Sequence, residues 1–109
     1  MSRAYFISGT DTNVGKTIVS AVLATKLEAY YFKPIQCGLN EMNLKDSDVV
    51  RSLSDKAKIL NELYFLRNPL SPFVAARKEN KKIDINKILK FVKNFKTKKL
   101  VIEGAGGLN

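Results

Sequence analysis

The sequence predicts an α/β fold: a parallel sheet flanked by helices, left incomplete within the 109 residues of this chain. Three observations lead there. Short apolar segments suited to strands alternate with longer segments of helical periodicity, the order that right-handed crossovers turn into a parallel sheet. The first strand runs through a polar loop, "GTDTNVGKT" at residues 9–17, directly into a helix. Only three strands emerge, the last near residue 100, whereas parallel sheets are ordinarily wider and covered on both faces. The single unit 1–109 therefore reads as the first half of a larger domain.

Residues 4–8 (AYFIS) are too short for a core helix and read as a buried first strand. A helix is expected from about Gly15 to Ala29, burying Val19, Val22, Leu23 and Leu27. Tyr30, Tyr31 and Phe32 form an aromatic second strand, which Pro34 and Gly38 end in the loop "KPIQCG". A new helix can begin near Asp46, where Asp and Ser side chains satisfy free amide hydrogens, and continue through Val49, Val50 and Leu53. Leu63 to Leu66 is ambiguous between a short strand and an extended connection. In "NPLSPFVAARKEN", Ser71 reads as a helix cap and Pro72 as the first helical residue. A further helix follows, with Ile85, Ile88, Leu89, Val92 and Phe95 on one side and Lys87, Lys90, Lys93 and Lys96 on the other. Leu100 to Glu103 is a buried strand running into "GAGG".

Composition narrows the class. An apolar fraction of 45% is enough for a core, and no stretch is long enough for a membrane span. The N-terminal residues lead straight into a strand pattern, so no secretory leader is expected. Cys37 is the sole cysteine, which excludes an internal disulfide and makes a reducing cytoplasm the default. With no histidine, His-based triads and zinc sites are excluded. The net charge of +9 raises nucleic-acid binding, yet ten basic residues lie within 77–99 alone, against Glu79 and Asp84. A solvated lysine face on an amphipathic helix accounts for them, and no nucleic-acid partner is expected.

The chemistry concentrates in four places. Five residues, rather than the usual four, separate Gly9 from Gly15-Lys16-Thr17. Loop amides and a helix N-terminus together attract phosphate, Lys16 would reach the terminal phosphates, and the Thr17 hydroxyl would ligate magnesium. Strand, loop and helix in succession make the fold P-loop NTPase-like. Lys33 lies where a strand emerges at its C-terminal end, the edge at which open parallel sheets bind ligands. It could hold an anion there or simply surface. Glu103 ends an apolar strand, and a carboxylate buried there calls for a cation. Asp48, in "KDSD", is either a further carboxylate for magnesium or a helix cap. Gly104, Ala105, Gly106 and Gly107 leave room for close backbone approach. Cys37 has no histidine to activate it as a nucleophile.

Taken in order, "GTDTNVGKT" (9–17), "KPIQCG" (33–38), "SD" (47–48), "NPLSPFVAA" (68–76) and "VIEGAGG" (101–107) resemble the dethiobiotin synthetase family. Five ordered motifs over nearly the whole chain are far more specific than any one of them, and that family's loop has the same extra residue. The resemblance implies ATP-dependent ring closure: 7,8-diaminononanoate takes up CO2 as a carbamate, ATP phosphorylates it, and the neighbouring amine closes the ureido ring. It also implies Mg2+, a homodimer and a chain about twice this length. By position, Asn13, Val14, Gly15, Lys16 and Thr17 match the nucleotide loop, and Glu103, Gly104, Ala105 and Gly106 a segment near the phosphates. Thr17, Asp48 and Glu103 match the magnesium ligands, and Thr12 a loop residue beside the reacting groups. Lys33 matches the catalytic lysine. Cys37 stands where many members place a serine or threonine on the substrate, and a thiol is the poorer donor. Asn13 replaces a common glutamate.

Three other classes share parts of this pattern. A non-catalytic nucleotide-binding regulatory module need not keep Lys33. A cobyrinic acid amidating relative calls for a glutamine-hydrolysing partner domain, of which the sequence carries no sign. A partitioning-type ATPase generally has an additional lysine early in the loop, absent between Gly9 and Gly15.

Overall fold

The computed structural model describes residues 3–8, 13–96 and 98–105. Strand β1 (Ala4–Ile7) is followed by helix α1 (Asn13–Leu27), β2 (Tyr30–Phe32) and a short β3 (Ile35–Cys37). Then come α2 (Asp46–Leu53), β4 (Lys58–Ile59), β5 (Tyr64–Leu66), α3 (Pro72–Lys78), α4 (Ile85–Asn94) and β6 (Leu100–Glu103). Four strands make one parallel sheet in the order β1-β6-β2-β4. This is the α/β, P-loop NTPase-like arrangement expected, a parallel sheet flanked by helices. It is one strand wider than predicted, because Lys58–Ile59 is too short to register as a strand in the sequence. The loop expected at "KPIQCG" contains β3, which pairs in parallel with β5 as a separate two-stranded sheet, Ile35 opposite Tyr64 and Cys37 opposite Leu66. That pairing settles the ambiguity at Leu63–Leu66 in favour of a strand.

Alternation along the strands divides the core into two layers. Tyr31 and Val101 pack with Ala21, Ala24 and Ala29 of the α1 segment and Val50 of α2. Phe32, Leu100 and Ile102 face the other way, towards α4. There Phe91 stacks on Phe32 with ring centroids 4.6 Å apart, and Phe95 meets Tyr30 edge-on at 5.2 Å. A third cluster of Ile35, Leu66, Ala75, Ala76 and Ile83 seats the small sheet on α3.

Three burial expectations fail at particular residues, each for its own packing reason. Helix α1 turns Ala21 and Ala24 to the sheet, leaving Val19 and Val22 about half exposed at 48% and 52%. Strand β1 pairs only with β6 among the described residues, and Phe6 is 62% exposed, so β1 is an edge rather than a buried strand. Helix α4 is rotated to bring Ile88, Phe91, Val92 and Phe95 inward, which exposes Ile85 and Leu89. Its lysine face, Lys87, Lys90 and Lys93, continued by Lys96, is open to solvent as expected. Among the described residues no helix is long and apolar enough to cross a membrane.

Helix starts are met in different ways. Asp84 caps α4 by accepting from Asn86 N at 2.9 Å. Pro72 opens α3 as predicted, but the Ser71 side chain makes no cap hydrogen bond. At α2 the Asp48 carboxylate reaches back to the Lys45 amide.

Candidate active site

The pleat places the reactive groups. Tyr31, alternate in β2 with Lys33 just beyond it, faces α1 and α2, as does Glu103, one position past the Phe32–Ile102 pair. Two adjacent parallel strands therefore deliver β2's exit lysine and β6's terminal glutamate to one point at their C-terminal ends. The first turns of α1 cover that point. Lys16, Thr17, Lys33 and Glu103 are all buried.

Glu103 is the hub. Its Oε2 accepts from Thr17 Oγ1 at 3.0 Å and from Lys33 Nζ at 3.2 Å, and its Oε1 accepts from the Tyr31 hydroxyl at 2.8 Å. Burial pushes the Glu103 carboxyl above the usual carboxylate range; the Lys33 ammonium pulls it back and Asp46 adds to the rise. The Tyr31 hydroxyl is pushed far up, first by burial and then by Glu103, and stays protonated as a donor. Lys33 Nζ also contacts Asp46 Oδ2 at 2.5 Å and Gly104 O at 3.4 Å. The Lys16 ammonium reaches the same Gly104 carbonyl at 3.4 Å. Ser20 secures this turn of α1 by donating to Lys16 O at 2.8 Å.

Of the residues singled out from sequence, Lys16, Thr17, Lys33, Glu103 and Gly104 come together, with buried Ala105 following in the chain. Gly104 N donates to Ile7 O, which fixes the exit of β6 against β1. Gly15 lies in the first turn of α1, and Asn13 and Val14 begin that helix. Thr12 and Gly106 lie outside the described residues. Asp48 is partly exposed at the start of α2: Oδ2 accepts from Lys45 N at 3.0 Å and Oδ1 from Arg51 Nη1 at 3.2 Å. The α2 carboxylate in contact with Lys33 is Asp46, two residues earlier. Cys37 is half-buried at the end of β3 in the small sheet, and burial raises its thiol pKa, against a lowering by Lys33.

Sequence reasoning passed over Asp46, Tyr31 and Gln36. In the sequence Asp46 reads only as a helix start, and Tyr31 only as a strand aromatic. The available signal was the period-two spacing of Tyr31 and Lys33 on one strand. Gln36 bridges the site's edge: its Oε1 accepts from Asp46 N at 3.0 Å while its Nε2 donates to Gly38 O at 2.9 Å. Glu62 steadies the same helix start through Ser47 Oγ at 2.6 Å and Lys45 Nζ at 3.2 Å.

The arrangement offers two buried ammonium groups, a hydroxyl and a carboxylate in front of a helix N-terminus. Such a set suits a polyanion and a hard cation with oxygen ligands.

The family model described as an AAA domain matches residues 3–109. An ATP-dependent dethiobiotin synthetase of Lawsonia intracellularis is 49% identical over 104 residues, covering 95% of this chain and 48% of that protein. The enzyme of that name from Agrobacterium fabrum is 46% identical over 110 residues, 99% of this chain and 50% of its own length. A third, from Paramagnetospirillum magneticum, is 44% identical over 106 residues, 97% of this chain and 49% of the relative. The chain spans about half the length of the curated relatives it matches.

Proposed function

The chain belongs to the AAA-domain family and resembles dethiobiotin synthetases along nearly its whole length; from that premise we propose that it carries the phosphate, metal and lysine side of an ATP-dependent dethiobiotin synthetase. The observation that carries this reading is the convergence of Lys16, Thr17, Lys33 and Glu103 at the strand ends beneath the N-terminus of α1. The unit 1–109 is one part of a larger nucleotide-binding domain, and the whole protein acts in the cytoplasm as a homodimer.

An amine of 7,8-diaminononanoate adds to CO2 and loses a proton, leaving a carbamate. A carbamate oxygen then attacks the γ-phosphorus of ATP, and the bond to ADP breaks. The second amine attacks the carbonyl carbon, loses a proton and expels inorganic phosphate, closing the ring. Every step handles anionic oxygen, so positioning and charge neutralisation dominate. Lys16 and the α1 amides hold the phosphates. The Lys33 ammonium offsets the carbamate and the migrating phosphoryl group, in a site dry enough for that charge to count. Magnesium, when bound, supplies compensation for the phosphate charge. The all-oxygen donor set of Thr17 and Glu103 fits it, with Asp48 as the further ligand the resemblance implies. Thr12 and Cys37 match positions that the resemblance assigns to the reacting groups and the substrate.

The test is release of phosphate by the complete protein with ATP, Mg2+, bicarbonate and 7,8-diaminononanoate. Release should depend on the diamine and match dethiobiotin formed, as read by mass spectrometry. Phosphate release indifferent to the diamine overturns the reading.

A further inference from the structure

We propose that Tyr31 is a positioning residue for this site, its hydroxyl fixing the Glu103 carboxylate so that one oxygen is presented to Thr17, Lys33 and a divalent cation. The proposal rests on the functional reading above and adds a residue to it.

Tyr31 is fully buried among Ala21, Ala24, Val50 and Val101, and its ring has no room to swing. From that fixed base the hydroxyl donates to Glu103 Oε1 at 2.8 Å. The other oxygen, Oε2, accepts from Thr17 at 3.0 Å and Lys33 at 3.2 Å. A carboxylate rotates about its last torsion, and either oxygen can then face a ligand. With Oε1 engaged from the core side, rotation would break a buried hydrogen bond, so Oε2 is held towards Thr17 and Lys33. Packing alone does not require the hydroxyl. Phe32, next in the strand and equally buried on the opposite face, fills its layer without a polar atom. Partners that orient metal-binding carboxylates in this way typically matter ten- to a hundredfold in metal affinity.

The experiment uses Tyr31→Phe in the full chain, with Mg2+ titrated at fixed fluorescent ADP analogue. The half-saturating Mg2+ concentration should rise about tenfold, binding of the analogue without Mg2+ should stay as in the wild type, and excess Mg2+ should restore it. A thermal midpoint that falls while the Mg2+ requirement stays unchanged marks a purely structural hydroxyl and overturns the proposal. Should the Phe variant not fold, the Tyr31 ring resonances of the unaltered chain decide by NMR. They must shift on addition of Mg2+ with ADP, and not in Glu103→Gln; resonances that stay fixed overturn it. A wild type without Mg2+-dependent nucleotide binding overturns the functional reading and this inference together. Mg2+-dependent binding in the wild type with an unaltered Phe variant overturns only this inference.

Discussion

Asp46 Oδ2 lies 2.5 Å from Lys33 Nζ, with the two side chains 10% and 2% exposed. Lys33 also touches Glu103, so one buried ammonium is shared by two carboxylates. If Glu103 turns part of its charge to a metal, Asp46 remains as the contact that keeps Lys33 aimed.

Removing that counter-charge should cost stability. Asp46→Asn is expected to lower unfolding free energy by about 3 kcal/mol, the low end for a broken buried pair because Glu103 still faces Lys33. Adding Lys33→Met to Asp46→Asn should deepen the loss, since the buried Glu103 then loses its Lys33 partner as well. Urea unfolding of the single and double variants reads both. A single variant as stable as the wild type would show that Asp46 does not carry the pair.

Lys33→Met addresses the chemistry. On the proposed function, turnover by the complete protein should fall by about two to three orders of magnitude, as when one charge-stabilising donor is lost from a dry site. Binding of Mg2+-nucleotide should persist, because Lys16 and the α1 amides remain. Rapid-quench measurement of carbamate phosphorylation beside nucleotide binding separates the two. Loss of both together would make Lys33 a binding residue instead.

Much of this site was legible because it follows chain order and pleat. Gly15-Lys16-Thr17 after a strand fixes a helix start beneath the loop, and Glu103 closing an all-apolar strand announces a buried charge. What escaped depended on tertiary contacts. Choosing between Asp46 and Asp48 for Lys33 turns on the angle at which α2 leaves its loop, which Gln36 and Glu62 set from distant positions. The valines of α1 looked like core by size, yet alanines let the helix approach the sheet closely. Strands of two or three residues, such as Lys58–Ile59, exist through pairing rather than intrinsic pattern.

Gly38 ties the small sheet to the loop before α3. Its φ of +74° suits glycine, and a Cβ there would lie 2.7 Å from Pro69 Cβ and 2.9 Å from Pro69 Cα. Neither atom is the tip of a flexible chain, so the backbone itself would have to move. Gly38→Ala is therefore expected to destabilise by roughly 2 kcal/mol or more. The measurement is the thermal midpoint with the urea midpoint as a check. A fully tolerated alanine would mean that Pro69 yields easily and that the turn is not constrained.

Glu79 holds the approach to that same loop and makes stability depend on pH. Its carboxylate accepts from Arg67 N and Asn68 N, both at 3.0 Å, and from Asn68 Nδ2 at 2.8 Å. The backbone donors, Arg67 first, hold its pKa below the ordinary 4.5. A carboxyl with a lowered folded pKa stabilises fully above its unfolded value, and the contribution is lost as pH falls through the folded value. Wild type should therefore exceed Glu79→Gln in urea midpoint at about pH 6.5, with the gap closing as pH falls through the lowered folded value. At the acid end a neutral carboxyl and an amide serve the three donors about equally badly. Taking the difference between the two proteins cancels Glu103, whose raised carboxyl acts in the opposite direction. A gap that stays constant over this range would trace the Glu79 effect to shape rather than charge.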